Sequence, residues 1–436
     1  MAADVFGWNL TKRFADRWAQ YMAQRDEAVG EDVVAQNAIA AAPTVWLLGK
    51  VQSGKSSIVR AITGREDAEI GSGFRPCTKT AEIFDFPAEA PLIRFLDTRG
   101  LGEARYDPSE DLEMARDKAQ LIIVTMRALD QQQDQLIDVL QAVRREHPDW
   151  PIVVAQTCLH DGYAHGQGHI EPYPFSVSAD NGDLIEAGVP EDLVRSMERQ
   201  RGLFDEVPGR GPIRFVPIDF TQDGDGFEPR NYGLDALMAA LVEAAPEGLA
   251  VTLQDLRNAS ASSLSQRVRP TILGYAGAAA ACDVVPVAGA IAVPGVQAKL
   301  LHSLANAYGV EWDRRMLGEF AGCLGAGVVA RLAATFGIRQ LAKLIPVYGQ
   351  TAGAAMAAAT SFATTYALGT AGCYFLAKRK LGESDPKGVA RTYREALEAA
   401  FAIAREKGFG TGAKSGEDDR SGRSASEGTG HAPQQS

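Results

Sequence analysis

A glycine-bounded loop between a strand and a helix is the feature that most constrains the fold of this chain. An apolar run at residues 44–48 leads into the pattern G-x-x-x-x-G-K-S, which begins at Gly49 and ends at Ser56. Glycines let such a loop turn its backbone N–H groups toward a phosphate. The lysine ammonium of this pattern reaches the β- and γ-phosphates of a nucleotide, and the hydroxyl that follows it binds Mg²⁺. The residues predicted to bind the nucleotide here are Gly49, Gln52, Ser53, Gly54, Lys55, Ser56 and Ser57.

A second strand predicts the metal side of the same site. Another apolar run ends at Asp97, and Gly100 follows three residues later. At the carboxyl end of a strand beside a phosphate loop, the aspartate can hold Mg²⁺ through water and the glycine N–H can contact the γ-phosphate. The turn-rich segment 71–80 lies between the two motifs, and we predict that Thr78 adds its hydroxyl to the metal site, with Thr80 as the alternative. We therefore predict that Ser56, Thr78 and Asp97 bind the metal and that Lys55, Thr78 and Gly100 act in catalysis.

In this order, the phosphate loop, the turn-rich segment and the motif at 97–100 resemble the GTPase superfamily, and its Era-like bacterial branch more closely than its Ras-like one. The resemblance covers roughly residues 43–245 and implies GTP or GDP as the ligand, Mg²⁺ as the cofactor and GTP hydrolysis as the activity. The base-reading motif N-K-x-D of that superfamily is incomplete here, because Thr157 and Asp161 follow the strand at 151–156 without the asparagine and the lysine. Asp161 is expected to pair with the guanine base, Thr157 is expected to contact the nucleotide, and an ATP-using enzyme is the alternative.

The residues that would position the attacking water differ from those of Ras-like proteins. Leu101 follows Gly100 where the resemblance would place a glutamine, and Gln52 stands where potassium-activated relatives carry an asparagine. We therefore expect slow intrinsic hydrolysis that a cation, a partner or a homodimer through the GTPase domain assists. One alternative is that Arg75 or Arg99 neutralises the negative charge that develops during hydrolysis. The other is that both arginines are solvated loop residues. A nucleotide-binding scaffold at the membrane that no longer hydrolyses GTP is the second interpretation.

The order of strands and helices predicts two kinds of domain. Residues 43–248 alternate strands with helices, which indicates an α/β fold whose mostly parallel sheet carries helices on both faces. Its sixth strand, at 213–218, leads into Asp219 in place of the usual S-A-K. The remaining predicted units are an amphipathic helix at 1–42, an all-α domain rich in alanine and glycine at 249–407 and a disordered tail at 408–436.

The C-terminal half contains a long run without charge, residues 344–377. Its length exceeds the ~20 residues that cross a bilayer, but leucine and isoleucine are few. Pro286 and Pro294 interrupt an earlier apolar run, which favours broken helices there. One interpretation is a helical bundle with internal apolar faces, and the other is a membrane-inserting hairpin with the basic residues 378–380 at the water interface. We expect conditional association with a membrane surface or a membrane protein.

The same half resembles a C-terminal domain of unknown function that follows GTPase domains, and occurs in some membrane proteins, of bacteria. The segments that carry the likeness are 273–276 with 284–287, 300–310 and 341–346. The resemblance covers roughly residues 265–380 and implies no particular activity for the domain.

Composition narrows the class of protein further. A net charge of −11 argues against a nucleic-acid-binding surface. Five scattered cysteines have neither paired nor metal-ligand spacing, which is typical of a reducing compartment. The six histidines likewise show no ligand pattern, and only His160 lies beside the nucleotide motif. No basic segment followed by an apolar one opens the chain, so we expect a cytoplasmic protein without a secretory signal.

Overall fold

The computed structural model describes most of the chain between residues 42 and 407. The described ranges are 42–64, 74–76, 81–98, 119–176, 180–222, 224–259, 264–284, 288–325 and 352–407, with residues 36, 39, 40 and 328. Apart from residues 36, 39, 40 and 42, the predicted N-terminal helix lies outside the described residues, as do the predicted tail and Thr78, Thr80, Gly100 and Leu101.

Seven strands form one sheet in the first half of the chain. They are β1 Thr44–Gly49, β2 Phe74–Pro76, β3 Ala81–Phe86, β4 Ile93–Thr98, β5 Ala119–Arg127, β6 Ile152–Thr157 and β7 Ile213–Pro217. The spatial order is β2-β3-β4-β1-β5-β6-β7, with β3 antiparallel to both of its neighbours and all other pairs parallel. The prediction of a mostly parallel sheet is confirmed. The strands β1 and β6 are buried along their whole length because both faces of the sheet are covered.

Helices cover both faces of this sheet, as predicted. They are α1 Lys55–Thr63, α2 Asp134–Glu146, α3 Asn181–Glu186, α4 Glu191–Gly202 and α5 Leu234–Ala244, and a two-stranded ribbon of β8 Asp219–Phe220 and β9 Asn231–Tyr232 precedes α5. Side chains alternate across a strand, so β1 contributes to both cores. Trp46 shares one buried cluster with Leu140 of α2, and Leu47 shares the other with Ile58 of α1.

The second half is helical, which also agrees with the prediction. Its helices are α6 Glu247–Ala259, α7 Leu264–Arg267, α8 Arg269–Val284, α9 Ala288–Tyr308, α10 Arg314–Leu324, α11 Ala352–Lys380 and α12 Pro386–Glu406. Acidic residues cap two of them: Asp313 accepts the Met316 N–H at the start of α10, and Asp385 accepts the Gly388 N–H at the start of α12. Such caps satisfy backbone donors that have no partner within the helix.

The described part of the charge-free run is the interior helix of a bundle. α11 packs against α8, α9 and α12, and Phe362, Ala363 and Ala367 are fully buried. Small residues permit this close packing, since a Cβ added at Gly369 would lie 2.8 Å from Ile272 Cγ2. Of the two predicted arrangements, the structure therefore has the bundle with internal apolar faces. Among the helices that the structure describes, none is long and apolar enough to cross a membrane.

One sequence expectation about this half differs from the structure. Pro294 was expected to interrupt the apolar run, but it lies inside α9. Its ring removes only one backbone hydrogen bond, and the fully buried Val293 and Val296 beside it hold the helix in place through packing.

The helical half packs directly on the hairpin formed by β3 and β4. A Cβ at Gly274 of α8 would overlap the backbone carbonyl oxygen of Ala90, so helix and hairpin backbones touch. The Tyr275 hydroxyl donates to Glu89 Oε2 at 2.5 Å. One apolar core continues from Leu92 of the hairpin segment into Leu273. The hairpin and α8 are therefore in direct contact through both backbone and side chains.

Candidate nucleotide-binding site

Backbone conformation at Gln52 and Gly54 and a close contact at Gly49 define the shape of the loop between β1 and α1. Gly54 has a φ of 94° and Gln52 a φ of 61°, both in the left-handed region that glycine tolerates and glutamine rarely adopts. At Gly49, an added Cβ would lie 2.6 Å from the Thr125 carbonyl oxygen and 2.8 Å from Ser53 Oγ. Any larger residue at position 49 would therefore push the loop away from β5.

Lys55 lies at the centre of this loop. Its ammonium donates to the carbonyl oxygens of Gly49 at 2.9 Å and Lys50 at 3.0 Å. The Asp97 Oδ1 atom, at the end of β4, is 3.8 Å from Lys55 Nζ. Burial lowers the pKa of Lys55, and the nearby Asp97 carboxylate opposes that shift. The buried ammonium is thus held by two neutral carbonyls and one carboxylate, an arrangement to which an anion would add favourable charge.

Hydroxyl groups at the ends of two neighbouring strands, β5 and β6, hydrogen-bond to the loop at Ser53. Ser53 Oγ donates to the Lys50 carbonyl at 2.7 Å and lies 2.5 Å from Thr125 Oγ1 of β5. Thr157, the last residue of β6, donates from Oγ1 to the Ser53 carbonyl at 2.9 Å. The carboxyl ends of parallel strands meet at one edge of the sheet, which brings these three residues together. Thr157 therefore contacts the phosphate loop, and its predicted contact with the nucleotide stays a prediction.

A salt bridge also ties the loop to the segment after β5. Lys50 Nζ lies 2.8 Å from Asp130 Oδ2. Burial acts to raise the pKa of Asp130, but hydrogen bonds from Lys50 and the Gln132 N–H outweigh it and leave that pKa below its ordinary value. Sequence reasoning missed this pair, because nothing in the local pattern of residue types links positions eighty apart in the chain.

The turn after β6 carries the predicted base-reading residue. Asp161 lies in a short 3₁₀ turn, Leu159–Gly162, and its Oδ2 accepts from Arg127 Nη2 at 2.7 Å. This hydrogen bond is the main reason why the pKa of Arg127 is raised. Asp161 is therefore already paired with a cation at the end of β5.

His160, the preceding residue in this turn, is hydrogen-bonded to a buried carboxylate. The sequence assigns His160 no function in the motif. Its backbone N–H donates to Asp219 Oδ2 at 2.7 Å, and its Nδ1 lies 2.7 Å from Asp219 Oδ1. Asp219 begins β8 and is fully buried. The sequence shows Asp219 in place of the usual S-A-K motif and His160 beside the nucleotide motif, but only the fold brings the two together.

The predicted metal ligands fit a magnesium ion by their chemistry. Ser56 at the start of α1 and Asp97 at the end of β4 offer a hydroxyl and a carboxylate, the hard oxygen donors that Mg²⁺ prefers. Asp97 lies beside Lys55, which joins the metal side of the site to the phosphate side. Within the described ranges, no group of three or more His, Cys, Asp or Glu residues is placed to hold a metal ion.

The structure brings most predicted site residues to one edge of the sheet. Gly49, Gln52, Ser53, Gly54, Lys55, Ser56, Asp97, Thr157 and Asp161 all lie at or after the carboxyl ends of β1, β4 and β6. Ser57 accepts a hydrogen bond from Arg60 Nη2 at 3.3 Å within α1. Thr78 and Gly100 lie outside the described residues, so their roles stay predictions.

Comparison with known proteins agrees with this geometry. Residues 44–157 match the family model described as 50S ribosome-binding GTPase. Together with the curled phosphate loop, the match defines the class of this region as a P-loop GTPase domain. No curated protein matches the chain significantly.

Three solved structures resemble the chain only distantly. One is the ADP-ribosylation-factor-like GTP-binding protein, or small COPII coat GTPase SAR1, of Encephalitozoon cuniculi in complex with GDP. It is 10% identical, the alignment covers 58% of this chain and 89% of that protein, and the TM-score is 0.28. The LeoA bacterial dynamin GTPase from ETEC is 12% identical over 92% of this chain and 77% of its own, with a TM-score of 0.31. The cytosolic domain of the T. maritima FeoB iron transporter, in its GMPPNP form, is 13% identical over 83% and 98%, with a TM-score of 0.25. Scores this low carry no argument about function.

Proposed function

We propose that this chain is a nucleotide-dependent switch that binds GTP, hydrolyses it slowly and passes the nucleotide state to its helical half. The observation that carries the proposal is Lys55, whose buried ammonium is bonded to two carbonyls of its own loop and lies 3.8 Å from the Asp97 carboxylate. A buried cation held in this way is stabilised when phosphate oxygens replace the neutral carbonyls. Lys55 would bind the β- and γ-phosphates, and Gly100 the γ-phosphate.

Magnesium is the proposed cofactor. Ser56, Asp97 and Thr78 would hold it, and a bound Mg²⁺ would neutralise charge on the β- and γ-phosphates during hydrolysis. Thr78 follows β2 closely in the chain, and Asp97 lies within β4.

A nucleotide titration of the full chain tests the proposal. The full chain is needed because one apolar core runs through both halves, and cutting it would expose residues such as Leu249 and Leu273. We expect GDP and a non-hydrolysable GTP analogue to bind at least about tenfold more tightly than their adenine counterparts, and removal of Mg²⁺ to weaken the GTP analogue most. Equal binding of ADP and GDP would contradict guanine recognition and leave only a generic phosphate-loop protein.

Slow hydrolysis and a homodimer through the GTPase domain belong to the same proposal. Their support is the sequence at Leu101, which offers no polar side chain to orient water after Gly100. We expect GTP turnover per protein molecule to be slow when dilute and to rise with protein concentration, as measured by phosphate release. The Lys55→Ala variant is the control for contaminating activity. Fast turnover that is independent of concentration would contradict the proposal, and no turnover at any concentration would favour a non-hydrolysing scaffold.

The contact between the hairpin and α8 supports the coupling to the helical half. Asp97 lies at one end of β4, and Glu89 and Ala90 at the opposite end of the hairpin touch Tyr275 and Gly274. A shift of the hairpin at the nucleotide would therefore move it against α8. We expect hydrogen exchange in α8 to differ between the GDP form and the GTP-analogue form, and identical exchange in both would contradict the coupling.

The partner of the helical half is proposed to be a membrane surface or a membrane protein. The support is the length of the charge-free run at 344–377, of which residues from 352 onward are described. Two of the basic residues expected at a water interface already have partners, since Lys378 pairs with Glu383 and Arg379 with Glu319. Vesicle flotation in the presence of GDP or a GTP analogue tests this, and protein that never floats with vesicles would leave only a protein partner.

A further inference from the structure

His160 is fixed by two hydrogen bonds to one buried carboxylate. Its backbone N–H donates to Asp219 Oδ2, and its ring Nδ1 lies 2.7 Å from Oδ1 and 2.9 Å from Oδ2 of the same residue. A carboxylate is an acceptor, so Nδ1 carries the hydrogen of this contact. In the neutral ring, Nε2 is then a hydrogen-bond acceptor.

The surroundings of Asp219 keep this arrangement rigid. The His169 side chain is fully buried, and its Nε2 lies 3.3 Å from Asp219 Oδ2. The His169 ring stacks on Tyr232 of β9, with ring centroids 4.4 Å apart. Asp219 is thus held between two imidazoles and cannot turn toward solvent.

The free edge of the His160 ring points away from this buried pair. The side chain of His160 is 30% exposed, whereas that of Asp219 is 1% exposed. Nδ1 faces the buried carboxylate, whereas Nε2 lies 3.8 Å from Asp161 Oδ1, and the Phe227 ring lies near the His160 ring with centroids 5.0 Å apart. The two side chains at 160 and 161 therefore present one acceptor nitrogen and one carboxylate on the same side of the turn.

This turn lies beside the phosphate loop. Thr157, three residues before His160, donates to the Ser53 carbonyl, and a Cβ added at Gly54 would lie 3.5 Å from Thr157 Cγ2. A nucleotide whose phosphates occupy the loop would extend its base toward the turns after β6 and β7, which His160 and Asp219 connect.

We propose that His160, with its tautomer fixed by Asp219, reads the base through Nε2. The inference rests on the proposed guanine-nucleotide binding. Guanine and hypoxanthine carry a hydrogen on N1 and can donate it to Nε2, whereas adenine presents a lone pair there and is repelled. A single acceptor nitrogen opposite N1 does not contact the 2-amino group of guanine. A carboxylate such as that of Asp161 could accept both hydrogens at once, but it is already paired with Arg127.

The two base readers predict different results with the unmodified full chain. We expect GDP and IDP, which lacks the 2-amino group, to bind within about threefold of each other, and ADP to bind at least about tenfold more weakly. IDP binding about tenfold or more below GDP would overturn the proposal in favour of a carboxylate that accepts both hydrogens. ADP binding equal to GDP would instead contradict the proposed guanine binding itself, so the two failures are distinguishable.

Variants of His160 provide the second measurement. His160→Asn keeps an amide near the Nδ1 position and removes Nε2, so we expect it to lose about tenfold in GDP and IDP affinity while ADP affinity changes little. His160→Gln, which can place an acceptor oxygen near the Nε2 position, should recover part of the loss. The exposed His165 provides the matched control, and His165→Gln should leave all three affinities unchanged. An equal loss for GDP, IDP and ADP in His160→Asn would show a merely structural role and overturn the proposal.

Discussion

Lys55→Ala is expected to weaken binding of Mg²⁺–GTP by about a hundredfold or more. Each charge-assisted hydrogen bond is worth about 1.5–3 kcal/mol, and the lysine would make one to each of two phosphates. The ammonium is pre-positioned for this contact because the Gly49 and Lys50 carbonyls hold it in the centre of the loop. Isothermal titration of the parent and the variant with a GTP analogue measures the loss.

The same substitution is expected to leave the nucleotide-free protein about as stable as the parent. Burial lowers the pKa of Lys55, which means that the folded protein holds this ammonium at a cost in desolvation. Removing it relieves that cost but leaves two carbonyls and the nearby Asp97 carboxylate without their cation, and because these effects oppose each other, thermal unfolding without nucleotide should change little. Lys50→Ala is the matched control, because Lys50 is in the same loop but its ammonium bonds to Asp130. A Lys55→Ala variant that binds within threefold of the parent would contradict the assigned site.

Gly274→Ala is expected to destabilise the folded chain by about 3 kcal/mol. The added methyl would meet the Ala90 carbonyl oxygen, and its carbonyl carbon at 3.2 Å, so backbone rather than a flexible side chain would have to shift. Overpacking of this kind typically costs about 1–3 kcal/mol, and two opposed backbones place this case at the upper end. The denaturation midpoint in urea, compared with that of the parent, gives the change.

Gly277→Ala supplies the control on the same helix. Position 277 is one turn further along α8, and an added Cβ there meets no atom within 4 Å. Alanine is a better helix former than glycine by up to about 1 kcal/mol, so this variant should be slightly more stable than the parent. If both variants changed stability equally, the close contact between α8 and the hairpin would be wrong. Gly274→Ala should also reduce the difference in α8 hydrogen exchange between nucleotide states.

Much of the α/β half was predictable from local patterns. The strands at 44–49, 93–98, 152–157 and 213–217 agree with the predicted runs to within about two residues, because buried parallel strands read as short apolar runs between turn residues. The phosphate loop was predictable for the same kind of reason, since its glycines answer a local backbone requirement.

The rest of the site depended on residues that are distant in sequence. Thr125, Asp130 and Asp219 have no motif of their own, and each acquires its role only when strand ends meet at one edge of the sheet. Asp161 was predicted from its distance after a strand, but its pairing with Arg127 depends on the register between β5 and β6. The composition of the charge-free run likewise allowed either a bundle interior or a membrane hairpin.

The sequence alone determined the phosphate loop, the mostly parallel sheet and the helical second half, because these follow from steric and hydrophobic rules that act over a few residues. Only the tertiary structure decided that α11 lies inside a bundle, that α8 touches the hairpin at Gly274, and that Asp219 stands behind His160. These features depend on which surfaces meet, and the free energy of burial and hydrogen bonding between distant segments is not encoded in any one of them.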